Sequence, residues 1–164
     1  MALYTNSSTI GVNLGNSDGA TALFGLGNSV IGQQDTEWTY VCAAVALTTG
    51  TAVTINSSGT ASLLNGTLST TAGGQQIAFA QGTFAASDYG WVARRGNGIY
   101  VRVSSVSTIA ITLYNCDNSG TLTSTSATNT FAGISLITAS STGVASAVPA
   151  YVSWPRLVTA PPIV

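Results

Sequence analysis

Residues 76–103 read QIAFAQGTFAASDYGWVARRGNGIYVRV and carry three of the chain's four arginines. Near the end of this stretch apolar and polar side chains alternate, so that Ile99, Val101 and Val103 share one side of the chain. Tyr100 and Arg102 fall on the other side, as the two-residue side-chain period of a β-strand requires. The RGNG segment at 95–98 supplies the glycine and asparagine that tight turns favour. The stretch therefore predicts a β-hairpin over residues 90–104.

Short strands separated by turns are predicted along most of the chain. Runs typical of strands occur at Thr39–Leu47, Ala52–Asn56, Ala61–Leu64, Gln76–Gln81, Gly90–Arg95, Ile99–Ser104, Ile109–Tyr114, Thr130–Thr138 and Tyr151–Trp154. Turn residues recur between them as NSSG (56–59), TAGG (71–74), RGNG (95–98), DNSG (117–120) and SSTG (140–143). Helix formers are scarce, since the chain has no lysine and one glutamate. We expect a single all-β domain, either a compact β-barrel or a β-sandwich.

The two ends of the chain predict extended arms around this domain. Six glycines interrupt the apolar runs of residues 1–36, so we expect an N-terminal arm there with short strands at most. The β domain then spans residues 37–157. Residues 158–164 predict an extended tail, because Pro161 and Pro162 cannot continue a sheet ladder.

The predicted strand Thr39–Leu47 is apolar on both faces. A strand of this kind is buried on both sides. In a small domain this indicates either a tight barrel or a second layer contributed by a neighbouring subunit. The segments YVCAAVAL (40–47) and IAITLY (109–114) are uncharged and β-prone, and such segments aggregate when exposed. We therefore expect the isolated protein to form a homo-oligomer that hides them.

Charge is rare in this sequence. Charged residues make up 5% of the chain and the net charge is −1, so no long-range field attracts nucleic acid or an anionic membrane. The 45% of hydrophobic residues argues against disorder. No apolar run approaches the roughly 20 residues of a spanning helix. The N-terminus lacks a basic segment followed by an apolar one, so we expect no signal peptide and synthesis in the cytoplasm.

Catalytic and metal-binding residue types are also rare. The chain has no histidine and no lysine, which removes the commonest general base and the Schiff-base nucleophile. The glycines at 11, 15 and 19 are not followed by the Gly-Lys-Ser/Thr of a phosphate loop. Asp35 and Glu37 either form a calcium site or are a solvated pair, and we favour the solvated pair. We expect no enzyme activity, no cofactor and no metal; Cys42 and Cys116 are expected to be free thiols rather than a disulfide.

Arginines and aromatic residues are interleaved in the predicted hairpin. These residues are Tyr89, Trp91, Arg94, Arg95, Tyr100 and Arg102. Such a patch can stack on single-stranded nucleic acid, but four arginines are too few for the phosphate contacts that this binding uses. Protein interfaces favour Trp, Tyr and Arg and are poor in Lys and Glu. We therefore expect a protein interface, with ordinary solvated residues as the alternative for Asp88 and Arg102.

The order of several segments resembles the small decoration (cement) proteins of tailed bacteriophages. The resemblance covers roughly residues 37–156 and is carried mainly by IAFAQ (77–81), FAASDYGWV (84–92) and WPR (154–156). It implies a β-rich protein without enzymatic activity that forms dimers or trimers on the outer capsid surface. There it would clamp adjacent major capsid proteins and stabilise the virion. In that interpretation Asp88–Arg95 is a contact segment, and Trp154 and Arg156 either close the barrel or meet a neighbour.

Two other functions compete with capsid decoration. One is a different β-rich virion component such as a fibre or tail protein, although long fibres usually show repeats and this chain has none. The other is a carbohydrate-binding module or adhesin, in which Trp38, Trp91 and Tyr100 would form a stacking platform.

Overall fold

Strands make up most of the computed structural model, which describes residues 14–65, 76–104, 115–117, 119–123, 129–140 and 144–159. The strands are β1 (Ser17–Gly19), β2 (Ser29–Ile31), β3 (Glu37–Ala43), β4 (Ala52–Ile55), β5 (Thr60–Leu63), β6 (Gln76–Ala80), β7 (Tyr89–Val103), β8 (Asn115–Cys116), β9 (Leu122–Thr123), β10 (Asn129–Leu136) and β11 (Ser146–Thr159). One 3-10 turn, Gln33–Asp35, precedes β3. The predicted all-β class is confirmed.

Five strands pair in a closed circuit. β7 pairs with β6, β6 with β4, β4 with β5, β5 with β3, and β3 again with β7. All these pairs are antiparallel except β3 with β5. A cluster of mostly small buried side chains comes from every strand of this five-stranded ring: Val41, Ala43, Val53, Ile55, Ala61, Ala78, Ala80 and Val92. Small residues are needed there because a ring of so few strands encloses little space.

The opposite face of β3 is buried under the chain's own outer layer. Trp38 and Tyr40 belong to a second core cluster together with Leu14, and Phe24 packs against the same cluster. The sequence allowed a second layer contributed by a neighbouring subunit. In the structure the same chain supplies this layer. Of the predicted strand 39–47 only the part up to Ala43 is a strand, and residues 44–46 are exposed.

The N-terminal segment is held on this outer face by aromatic and polar contacts. The ring of Phe24 lies 5.3 Å from that of Tyr40 and 5.3 Å from that of Trp91. The Tyr40 hydroxyl donates to Asp18 Oδ2 over 2.8 Å and accepts from the amide of Leu23 over 3.0 Å. Burial raises the pKa of Tyr40, so the hydroxyl keeps its proton and remains a donor to Asp18.

The prediction of a hairpin over residues 90–104 is wrong. β7 is one strand of fifteen residues that runs through RGNG without reversing. Its first half pairs with β3 and β6, and its second half pairs with β11. Gly96 (φ +138°) and Gly98 (φ +75°) take conformations that favour glycine, and the register with β11 shifts beside them. The glycines bend the strand instead of turning it, because each half has its own pairing partner.

Two predicted turns are confirmed by side-chain caps. In NSSG, Asn56 Oδ1 accepts from the amides of Ser58 and Thr60, both over 3.0 Å. In DNSG, Asp117 Oδ1 accepts from the amides of Ser119 and Thr121 over 2.8 and 3.0 Å. The predicted strand 109–114, the turn 71–74, most of the turn 140–143 and residues 1–13 and 160–164 lie outside the described residues.

Both cysteines are free thiols, as predicted. Cys116 is buried, and its Sγ donates to the carbonyl oxygen of Leu64 over 3.3 Å. Burial, reinforced by the charge of Asp117, raises the pKa of the Cys116 thiol from 9.0 to about 12. The thiol of Cys116 is therefore a structural hydrogen-bond donor in this fold.

The raised pKa of Cys116 predicts a loss of stability in alkaline solution. The unfolded chain loses the thiol proton near pH 9, whereas the folded chain keeps it to about pH 12. This contribution is therefore complete below pH 9 and falls by about 1.4 kcal/mol per pH unit above it. Denaturant unfolding at about pH 8 and about pH 10.5 should show a smaller loss in Cys116→Ala than in the unchanged chain. Equal losses in the two proteins would contradict this role of Cys116.

Candidate interaction surface

Two arginines of β7 are paired with carboxylates next to β3. Arg94 Nη1 lies 3.7 Å from Glu37 Oε1, and Arg95 forms an ion pair with Asp35. The strand register brings these residues close together, because Glu37 lies opposite Arg95 in the β3–β7 pair, where the register shifts between Glu37 and Trp38. Each carboxylate thus faces an arginine; Asp35 is 67% exposed, as expected of a solvated residue, whereas Glu37 is only 17% exposed. Within the described residues no group of three metal-ligating side chains occurs.

Arg94 lies between Glu37 and Trp154. The guanidinium carbon of Arg94 is 4.7 Å from the centroid of the Trp154 ring, a cation–π contact. The side chains of Arg94 and Glu37 are only 15% and 17% exposed. Burial lowers the pKa of Arg94 and the charge of Glu37 opposes that shift, so the guanidinium remains charged. The Arg94 side chain thus links Trp154 of β11 to Glu37 of β3, a strand of the five-stranded ring.

Trp154, whose ring belongs to this stack, and Arg156 are both exposed on the surface. Arg156 has no carboxylate within ion-pair distance in the described part of the chain. Tyr151, which the sequence did not single out, is 50% exposed on the same strand. The alternation of Tyr151 with the buried Val152 was the signal that could have identified it.

Trp91 belongs to the core rather than to a surface. It is 1% exposed, and its ring lies 5.0 Å from Tyr40. Trp38 is also fully buried, with its Nε1 donating to Thr36 Oγ1 over 2.9 Å. The stacking platform of Trp38, Trp91 and Tyr100 therefore does not exist in the folded chain.

The remaining predicted residues lie at two other places. Asp88 accepts from the amide of Ala85 and from the Ser17 hydroxyl, so it closes a local turn and fixes the N-terminal segment. Tyr89 follows it and stacks on Tyr40 with ring centroids 6.4 Å apart.

Tyr100 and Arg102 lie in the second half of β7. They are partly exposed, opposite the buried Ile99, Val101 and Val103, and this face assignment is confirmed. Arg102 Nη1 donates to Thr48 Oγ1 over 3.3 Å. The structure thus brings together Arg94, Arg95, Trp154 and Arg156, and it separates them from the other predicted residues.

The described residues contain no helix that is long and apolar enough to cross a membrane. Comparison with known proteins returned no matching family model, no matching curated protein and no matching solved structure. The likeness to decoration proteins therefore depends on the sequence motifs.

Proposed function

We propose that this protein is a structural component of a phage head that decorates the outer capsid surface and bridges major capsid proteins. The observation that supports this proposal is an outer surface with little free charge and several exposed apolar side chains. The large apolar side chains that are more than a third exposed among the described residues are Leu23, Leu26, Ile31, Val45, Ile137, Val144, Tyr151 and Trp154. Exposed apolar groups with few competing ions are suited to adhesion to another protein.

The placement of the charged groups supports the same proposal. Four of the nine charged side chains neutralise one another in the two arginine–carboxylate pairs. A surface of Ser, Thr and Asn side chains supplies hydrogen bonds without the desolvation that ions require. Repetition of such contacts over a capsid lattice converts modest affinity into avidity. The proposal includes a homo-oligomer, although burial of Tyr40, Val41 and Ala43 within the chain removes one reason to expect it.

Cosedimentation with capsids assembled from the major head protein of the matching phage tests this function. We expect saturable binding at a fixed ratio to capsid subunits and greater resistance of the capsids to heat. The resemblance to decoration proteins also implies addition after shell expansion, so unexpanded shells are the matched control and should bind much less. Absence of saturable binding to expanded capsids would contradict the proposal.

The alternative functions predict different results in the same assay. A carbohydrate-binding module would leave expanded capsids unbound and would bind glycans, yet both tryptophans of the predicted platform, Trp38 and Trp91, are buried. A fibre or tail protein would also fail to bind the capsid surface. Neither alternative has a supporting observation as direct as the exposed apolar groups.

A further inference from the structure

Trp154 is displayed by an irregularity between β10 and β11. Ala132 pairs with Arg156 and Ile134 pairs with Val152, so three residues of β11, 153–155, lie opposite the single Gly133. Trp154 has a φ of +48°, a backbone conformation that a bulky residue rarely adopts. Bulges of this kind re-aim side chains at functional sites, and strain that is retained points to a function. Here the re-aimed indole is 43% exposed.

Gly133 makes this geometry possible. It has a φ of +87°, and a Cβ at this position would lie 2.4 Å from the carbonyl oxygen of Ser153. The two strands can approach here only because residue 133 has no side chain. The bulge is thus built into both strands and is not a frayed end of the sheet.

The Arg94 guanidinium holds the indole in place. The guanidinium is anchored by Glu37 and stacks on the ring at 4.7 Å. The Nε of Arg94 is buried and has no hydrogen-bond partner in the described part of the chain. A tryptophan that is fixed before binding loses little conformational freedom when a partner covers it.

A cleft of about 300 Å³ opens beside the indole. It is lined by Ala132, Gly133, Ser153, Trp154 and Arg156. Among the described residues no carboxylate lies within ion-pair distance of Arg156, whereas Arg94, which stacks on the indole, is paired with Glu37. The cleft therefore has one net positive charge next to an exposed aromatic ring. An occupant needs a carboxylate for Arg156 and an apolar group for Trp154.

We propose that this cleft, which we call the Trp154 cleft, binds an acidic segment of a partner protein. An Asp or Glu side chain of the partner pairs with Arg156, and a neighbouring apolar side chain covers Trp154. A protein fits better than a sugar, because sugar hydroxyls need acceptors and the side chains of the cleft offer only the Ser153 hydroxyl. The inference rests on the proposed function, in which the partner is the major capsid protein.

Two variants test the cleft in the full chain. Trp154→Asn suits the positive φ, since asparagine tolerates this conformation, and it removes the indole. Arg156→Gln removes the unpaired charge. We expect binding to expanded capsids to weaken roughly tenfold in Trp154→Asn and roughly fivefold in Arg156→Gln. Arg102→Gln removes an equal charge from a site outside the cleft and should bind like the unchanged chain.

Tryptophan fluorescence provides a second readout that does not need capsids. Trp154 is the exposed tryptophan, whereas Trp38 and Trp91 are buried, so a shift in emission reports on the cleft. Short synthetic peptides that tile the head protein should shift the emission where they are acidic. Peptides with Asp and Glu replaced by Asn and Gln should not, and Trp154→Asn should show no shift with either set.

The possible outcomes separate the cleft from the proposed function. Unchanged capsid binding in both cleft variants would contradict a binding role of the Trp154 cleft, and it would not contradict capsid decoration. A shift with N-acetylneuraminic acid but not with acidic peptides would identify an acidic glycan as the occupant and overturn the proposal. Dissociation of an oligomer in Trp154→Asn, measured by sedimentation velocity, would identify a second copy of this chain instead. Absence of capsid binding by the unchanged chain would contradict capsid decoration. If, in addition, no acidic peptide shifts the tryptophan emission, the proposed role of the Trp154 cleft is contradicted as well.

Discussion

Gly96→Ala is expected to lower the free energy of unfolding by roughly 3–5 kcal/mol. Gly96 has a φ of +138°, which residues with a side chain rarely adopt. A Cβ at Gly96 would lie 2.5 Å from Thr36 Cγ2 and 2.9 Å from Thr36 Cα. Thr36 cannot move away easily, because it is fully buried and its hydroxyl donates to Gln33 O over 2.8 Å and accepts from Trp38. Urea unfolding followed by circular dichroism measures the loss.

Gly27→Ala is the matched control for the contact with Thr36. Gly27 also has a positive φ, +81°, but a Cβ there would meet nothing within 4 Å. This substitution should therefore cost only the backbone strain, about 1 kcal/mol. A similar loss in the two variants would show that the close approach of Gly96 to Thr36 does not matter. A much larger loss in Gly96→Ala supports the bend of β7 at this point.

Trp91→Ala is expected to destabilise the protein by roughly 3–5 kcal/mol, because it leaves a large cavity in the core. The Trp91 ring packs against Tyr40 at 5.0 Å and Phe24 at 5.3 Å, so the substitution also loosens the N-terminal segment. No hydrogen bond is lost, since Trp91 Nε1 has no partner among the described residues. Thermal and chemical unfolding of the variant measure the effect.

Trp154→Ala is the matched control, since it removes the same side chain from the surface. With the indole 43% exposed, we expect a loss of less than about 1 kcal/mol, most of it from the cation–π contact with Arg94. The effects on capsid binding should be reversed: Trp154→Ala weakens binding, while any Trp91→Ala protein that remains folded binds normally. Normal stability of Trp91→Ala would contradict its place in the core.

Local patterns predicted the strands and faces that depend on neighbouring residues in sequence. The NSSG and DNSG turns formed because Asn56 and Asp117 bond to amides two and four residues later. The apolar side of Ile99, Val101 and Val103 is buried, as alternation predicts. RGNG carried an equally good turn signal and was misread, because long-range pairing of β7 with β3 and β11 outweighed the local preference.

The interaction surface could be predicted only in part. Interface statistics identified Trp91, and the resemblance to decoration proteins added Trp154, but a tryptophan has the same composition signal in a core and at an interface. What separates the two residues is burial. Trp91 is covered by Phe24, which is distant in sequence, and Trp154 is turned outward by the bulge opposite Gly133.

The sequence by itself determined the all-β class, the positions of most described strands, the free thiols and the scarcity of catalytic groups. These properties follow from composition and from interactions between residues close in the chain. Only the tertiary structure decided the closed five-stranded ring, the burial of Trp91, the two arginine–carboxylate pairs and the Trp154 cleft. The physical reason is that each depends on the register between strands far apart in sequence, and register is set by packing of the whole molecule.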